Sequence, residues 1–221
     1  MSVSSRVVAI DGSSGSGKST VARAVADALE LPVLDTGAMY RAVTLAVLER
    51  KLAPDDEQAA YDIARAATIE VEQGVTRLDG RDVSAEIRGP EVTAAVSAVS
   101  AHAPVREVLV ARQREWVANH GGGVVEGRDI GTVVFPDAAV KVFLVADDAE
   151  RARRRQRDER DADRKVAVES VRDSLKRRDA LDSSRVVSPL RPADDAVVID
   201  TTDRTVGDIT AEIADRYRAA G

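Results

Sequence analysis

The sequence predicts an α/β protein built on a five-stranded, mostly parallel sheet flanked by helices. Short apolar runs bounded by turn residues alternate with longer segments of helical period, the rhythm of strand and crossover helix. Each run is brief and apolar enough to read as a buried strand. The first of them, "RVVAI" at 6–10, passes through a glycine- and serine-rich turn directly into a helical pattern.

The strands expected from these runs are 6–10, 32–34 ("PVL"), 124–126 ("VVE"), 140–145 ("VKVFLV") and 196–199 ("AVVI"). On the first helix Val21, Val25 and Leu29 recur at i, i+4, i+8, and on the second Met39, Val43 and Val47 do the same, so both should pack on the sheet. Residues 68–83, "TIEVEQGVTRLDGRDV", break the rhythm: two alternating runs around a glycine predict a hairpin outside the parallel core, the mark of an inserted subdomain. A long helix is expected from Val105 past Trp116, stopped by Gly121–Gly123. Asp147, three residues before Glu150, resembles a capping box opening the charged helix that runs toward Lys165. The chain from 201 reads as a turn and a final amphipathic helix. Trp116 is expected to pack, His102 and His120 to sit at helix ends or on the surface, and the pairs Asp55-Asp56 and Asp194-Asp195 to be solvated turns.

At 221 residues the chain suits one domain carrying insertions. A net charge of −6 excludes a basic nucleic-acid binder, so an anionic ligand would need a local arginine cluster. There is no cysteine, which removes disulfide scaffolds, thiolate nucleophiles and cysteine zinc sites together. No stretch approaches eighteen apolar residues, and "MSVSSRVVAIDG" has no basic segment followed by an apolar one. The expectation is a soluble cytoplasmic protein without membrane or nucleic-acid partners.

Residues 12–19, "GSSGSGKS", satisfy G-x-x-x-x-G-K-[ST] between a buried strand and an amphipathic helix, as that motif requires. The phosphates of a nucleotide are expected against Gly12, Ser13, Ser14, Gly15, Ser16, Gly17, Lys18, Ser19 and Thr20. The backbone amides and the helix dipole would face the anion, Lys18 would reach the β and γ phosphates, and Ser19 would hold Mg²⁺. Kinases, GTPases and motor ATPases all use such a loop. The only asparagine is Asn119, followed by His120, so an Asn-Lys-x-Asp guanine reader is absent. Asp200 after "AVVI" fits a motor acid, but a compact chain with so many candidate arginines favours a small-molecule kinase.

Three further blocks, "DTGAMYR" at 35–41, "EGRDIGTVVFPDA" at 126–138 and "RRDALDSSRVVSPL" at 177–190, follow in order after "IDGSSGSGKST". Together they resemble the bacterial cytidylate kinases, and the resemblance spans nearly the whole chain. It implies a P-loop nucleoside-monophosphate-kinase fold with a core in three parts (1–66, 105–150, 167–221), a monophosphate-binding insert (67–104) and a lid (151–166). It also implies transfer of the ATP γ-phosphoryl to CMP or dCMP with Mg²⁺, by a monomer. Arginine suits a monophosphate dianion because its planar fork donates two hydrogen bonds and stays charged. By resemblance Arg41, Arg128 and Arg185 lie near the acceptor phosphate, with a hydroxyl from Thr36, and Lys18, Arg128 and Arg185 carry catalysis. Asp129 would accept from the cytosine amino group, helped by Ser97, with Arg106 on the ring acceptors; Arg178 and Asp182 would lie near the ribose. Arg154 and Arg157 are the plausible lid arginines. The rivals are a P-loop kinase of another metabolite, shikimate above all, and a non-catalytic nucleotide-dependent regulator; adenylate kinase is disfavoured because its Gly-Phe-Pro-Arg is absent.

Overall fold

The computed structural model describes residues 6–72, 74–161, 168–185 and 187–220. Five parallel strands, β1 (Val7–Gly12), β2 (Val33–Asp35), β6 (Gly123–Gly127), β7 (Val140–Val145) and β8 (Val197–Asp200), lie in the order β2-β6-β1-β7-β8. All five expected strands are present, each within one or two residues of its expected bounds. The cause of their legibility is visible in β1: Val7 and Ala9 enter one core and Val8 and Ile10 the other, so neither face can be polar.

One face is covered by α1 (Lys18–Leu29) and α8 (Val206–Ala220), which bring Val21, Val25, Ile209 and Ile213 against Val8, Val142 and Leu144. The other face carries α2 (Thr36–Glu49), α3 (Glu57–Ala66) and α5 (Ala103–His120), with Met39, Val43, Val47, Ile63, Val105 and Leu109 in the core. The sequence reading leaves α3 unassigned. Asp56, exposed after a turn as expected, opens it, its carboxylate accepting the Ala59 N–H at 3.0 Å as the helix cap. Asp194 and Asp195 form the expected exposed turn before β8, where Asp195 also pairs with Lys141 at 2.7 Å. His102 and His120 do stand at the two ends of α5, and Trp116 packs with its ring stacked on His120.

The insert holds three antiparallel strands, β3 (Ile69–Glu72), β4 (Val75–Leu78) and β5 (Arg81–Asp82), one more than the expected hairpin. Asp79 and Gly80 both have positive φ, 52° and 80°, the turn an Asp-Gly pair favours, and it folds β5 back onto β4. A 3-10 turn, Glu86–Arg88, leads to α4 (Pro90–Val99).

After β7 come α6 (Asp148–Asp161) and α7 (Val168–Ser183). The expected lid boundary at Arg151 falls inside α6, and part of that lid, 162–166, lies outside the described residues, as does Lys165. The capping box is not formed: the Asp147 N–H donates to Thr202 Oγ1 at 3.0 Å, and Glu150 pairs with Arg153, Arg154 and Arg157.

Candidate active site

The C-terminal ends of β1, β2 and β6 open on one cleft, at the edge where an open parallel sheet receives ligands. Its floor is the glycine-rich loop between β1 and α1. Gly12 has φ 149°, and a Cβ there would stand 2.2 Å from the Leu144 carbonyl oxygen, so β7 itself excludes any side chain. Gly15 and Gly17 also have positive φ. Ser16 turns inward, its hydroxyl donating to the Ser13 carbonyl at 3.0 Å, and Lys18 Nζ donates to the same carbonyl at 2.7 Å. Burial and the neighbouring Arg128 lower Lys18 to about 7, against the pull of Glu126.

Helices α6 and α7 grip the loop from outside. Arg151 Nη1 donates to the Ser14 carbonyl at 3.1 Å and to Asp179, while Asp179 accepts the Ser14 N–H at 3.2 Å. Ser14 is thereby held at both its donor and its acceptor by two residues that are paired with each other.

One carboxylate meets Ser19, and a second, Asp35, stands near that acid. The Ser19 hydroxyl donates to Glu126 Oε2 at 2.9 Å, and burial together with the nearby Asp35 raises Glu126 to about 7. Asp35 also caps α2, accepting the Ala38 N–H at 3.0 Å. The sequence reading gives neither acid a role, although each closes or nearly closes a strand at the ligand-bearing edge.

Beyond the loop stand Arg41, Arg88, Arg128, Arg155, Arg178 and Arg185. Asp182, 1% exposed, accepts from Arg128 Nε at 2.9 Å and from Arg185 Nη2, and Arg128 Nη1 donates to the Gly12 carbonyl at 2.9 Å. Arg41 is anchored on the insert through the Ile87 carbonyl and Thr93 Oγ1, at 2.9 and 3.0 Å. Burial and mutual repulsion push Arg41 down to about 10 and Arg178 to about 9, which leaves both charged near neutral pH. Cations crowded this way are stabilised by an anion among them.

At the far end Arg106 and Asp129, 3% and 4% exposed, form an ion pair. The Arg106 guanidinium also lies 5.2 Å from the Tyr40 ring centre, and it donates to the Ser100 carbonyl at 3.2 Å.

Thr36, Arg41, Arg106, Arg128, Asp129, Arg178, Asp182 and Arg185 therefore line the same cleft as Lys18, Ser19 and Thr20, as the sequence reading expects. Three details differ. Thr36 Oγ1 spends its proton on the Glu126 carbonyl at 2.7 Å, so what it keeps for a ligand is lone pairs. Ser97 is half-buried and does not line the cleft, whereas Val96 and Ser100 do; Ser100 Oγ accepts from Arg185 at 2.8 Å. Arg154 is held by the Thr201 carbonyl and hydroxyl at 2.7 and 2.9 Å, and Arg157 is exposed beside Glu150, so among the described side chains of α6 the arginine that lines the cleft is Arg155.

Residues 8–219 match the cytidylate kinase family. A cytidylate kinase of Mycolicibacterium paratuberculosis is 50% identical over 216 residues, covering 96% of this chain and 95% of that one. A bifunctional pantoate ligase/cytidylate kinase of Trichormus variabilis is 48% identical over 220 residues; the chain spans 41% of that relative's length. Among solved structures a gluconokinase from Sinorhizobium meliloti shares the fold with a TM-score of 0.50 at 14% identity, covering 97% of this chain and 93% of its own.

Proposed function

The chain belongs to the cytidylate kinase family, and from that premise we propose that this cleft passes the terminal phosphoryl group of ATP to CMP or dCMP, giving ADP and CDP or dCDP. The observation that carries the reading is the meeting, in one cleft, of a phosphate loop, an arginine cluster and a buried Arg106–Asp129 pair. The loop takes the donor tail, the arginines take the acceptor phosphate, and the pair takes a base.

Phosphoryl transfer asks the protein for position and neutralised charge more than for covalent chemistry. Lys18 supplies the ammonium at the donor phosphates. Arg41, Arg128, Arg178 and Arg185 offset the repulsion between two phosphorylated substrates, and Asp182 holds Arg128 and Arg185 in register. The Ser19 hydroxyl on Glu126, an acid that the nearby Asp35 repels, fits a small hard cation that keeps most of its waters. These residues would hold Mg²⁺, which would supply positive charge against the donor phosphates. Asp129 accepts from the cytosine N4 amino group by the same chemistry that pairs a carboxylate with cytosine in a groove, with Arg106 beside it for the ring acceptors. Uracil places an oxygen there and is disfavoured. Arg155 reaches toward the transferring group from α6, the arm of the lid, while β3 to α4 form the acceptor-binding insert.

A monomeric working unit is part of this proposal. No helix among the described residues is long and apolar enough to cross a membrane. A coupled assay with Mg·ATP and CMP, dCMP, UMP, AMP, GMP and shikimate tests the proposal. Turnover concentrated on CMP and dCMP is expected; turnover of shikimate, or none at all, refutes it.

A further inference from the structure

The last two residues of β1 hold the segment that carries Arg128 and Asp129. Asp11 is 5% exposed, and each of its carboxylate oxygens takes one backbone N–H: Oδ1 from Ile130 and Oδ2 from Gly131, both at 2.8 Å. Beside it, the Gly12 carbonyl accepts from Arg128 Nη1. Asp129 lies between these anchors with φ −145° and ψ 25°, after β6 has ended at Gly127 and before the π-helical turn Ile130–Val134 begins. A residue in that junction takes its direction from what grips the N–H groups just after it. Here the grip is a buried carboxylate with both oxygens engaged, and charge-assisted bonds of this kind are the strong and directional ones. Burial pushes Asp11 up to about 6, held down in part by the Gly131 and Ile130 amides, so it is largely ionised at neutral pH.

We propose that Asp11 is a positioning residue for base selection: by holding the Ile130 and Gly131 N–H groups it aims the Asp129 carboxylate at the cytosine amino group, and so sets the preference for CMP over UMP. The inference rests on the base-reading role given to Asp129 above. The competing role for Asp11 is general support of the phosphate loop that starts at its own C-terminal side. The two separate cleanly, because loop support acts on ATP and aiming acts on the acceptor.

The test compares Asp11→Asn, Asp129→Asn and the double variant in kcat/KM for CMP and for UMP, with KM for ATP measured alongside. Asparagine keeps one acceptor and turns an NH₂ against the second backbone N–H, so one of the two bonds is lost with little change in volume. Asp11→Asn is expected to narrow the CMP-to-UMP ratio by about tenfold or more while KM for ATP stays within about twofold. The double variant is expected to be no less selective than Asp129→Asn alone, since aim is irrelevant once the reading group is gone. If Asp129→Asn narrows the ratio and Asp11→Asn does not, the positioning role is wrong and the base-reading role survives. If KM for ATP rises as much as KM for CMP, Asp11 supports the loop and the inference fails. If Asp129→Asn leaves the ratio intact, the base-reading role falls and this inference falls with it. Asp11→Ser, which leaves a hydroxyl oxygen as acceptor, replaces the asparagine variant in the same comparison should that variant not fold, with the same outcomes deciding.

Discussion

Asp182→Asn removes the negative charge around which the acceptor end of the cleft is assembled. The Asp182 side chain is almost wholly buried and engages Arg128 and Arg185 with its two oxygens. Burial alone would push its carboxyl up, but Arg128, Arg185 and Arg178 outweigh that and hold it below the usual carboxylate range. Removing one partner of a buried pair costs about 3–5 kcal/mol because the other charge is left uncompensated. Asparagine can still accept one of the bonds, which puts the expected loss at the lower end, about 3 kcal/mol. For a domain of this size each 1 kcal/mol moves the midpoint by about 2–4 °C, so the ligand-free variant should melt about 6–12 °C lower. Inorganic phosphate brings the missing charge without a sugar that could lose a contact. At constant ionic strength it should therefore raise the melting temperature of the variant more than that of the wild type, through linkage to the vacated arginines. Scanning calorimetry with and without phosphate reads both effects. A fall under about 2 °C, or an equal phosphate response in the two proteins, would refute the idea that Asp182 is the counter-charge of this cluster.

Arg155→Ala should lower kcat by about 1000-fold, the lower end of the range for arginines that neutralise a transferring phosphoryl group, with KM for CMP nearly unchanged. Arg157→Ala should alter neither by more than about twofold, as for an exposed ion pair; steady-state kinetics on the two variants decides which α6 arginine acts. Arg151→Ala and Asp179→Ala should each raise KM for ATP while sparing KM for CMP, and the double variant should be no worse than the worse single one, because both act through Ser14; additive losses would separate them. Asp11 has a folded-state value of about 6 against an ordinary 3.8, so its contribution to stability is fully present below about 3.8 and lost as pH rises through about 6. Urea titrations should show wild type gaining about 2–3 kcal/mol relative to Asp11→Asn between pH 7 and pH 4, and a pH-independent difference would contradict the burial of that charge.

What could be read from sequence, and what could not, follows from which physical property each feature depends on. The three central strands β6, β1 and β7 were legible because a strand covered on both faces must be apolar along nearly its whole length, the edge strands β2 and β8 because their apolar runs are short and bounded by turn residues, and the phosphate loop because its glycines and lysine are required at fixed offsets. Helix rotation is not encoded so locally. Ser97 and Ser100 stand three residues apart on one apolar stretch, and it is Ser100, at the C-terminal cap of α4, that meets the cleft beside Val96. The same holds for consecutive arginines on α6, where Arg154 turns to Thr201 and Arg155 lines the cleft. Asp11 and Glu126 were visible as acids at the ends of apolar runs. Their partners, the Ile130 and Gly131 amides and Ser19, are more than a hundred residues away in sequence and meet them only through the order of the strands. The third insert strand was signalled by Asp79-Gly80, but at two residues β5 is too short for alternation to register.

The central claim is that one cleft presents a triphosphate to the phosphate of a pyrimidine nucleotide. The most direct measurement is a crystal structure with a non-hydrolysable ATP analogue and CMP bound together. The expected result has the analogue's terminal phosphate at Lys18 Nζ, the CMP phosphate among Arg41, Arg128 and Arg185 in line with it, and the cytosine amino group on the Asp129 carboxylate. A CMP bound with its base turned away from Asp129, or with its phosphate too far from the analogue for direct transfer, would contradict it.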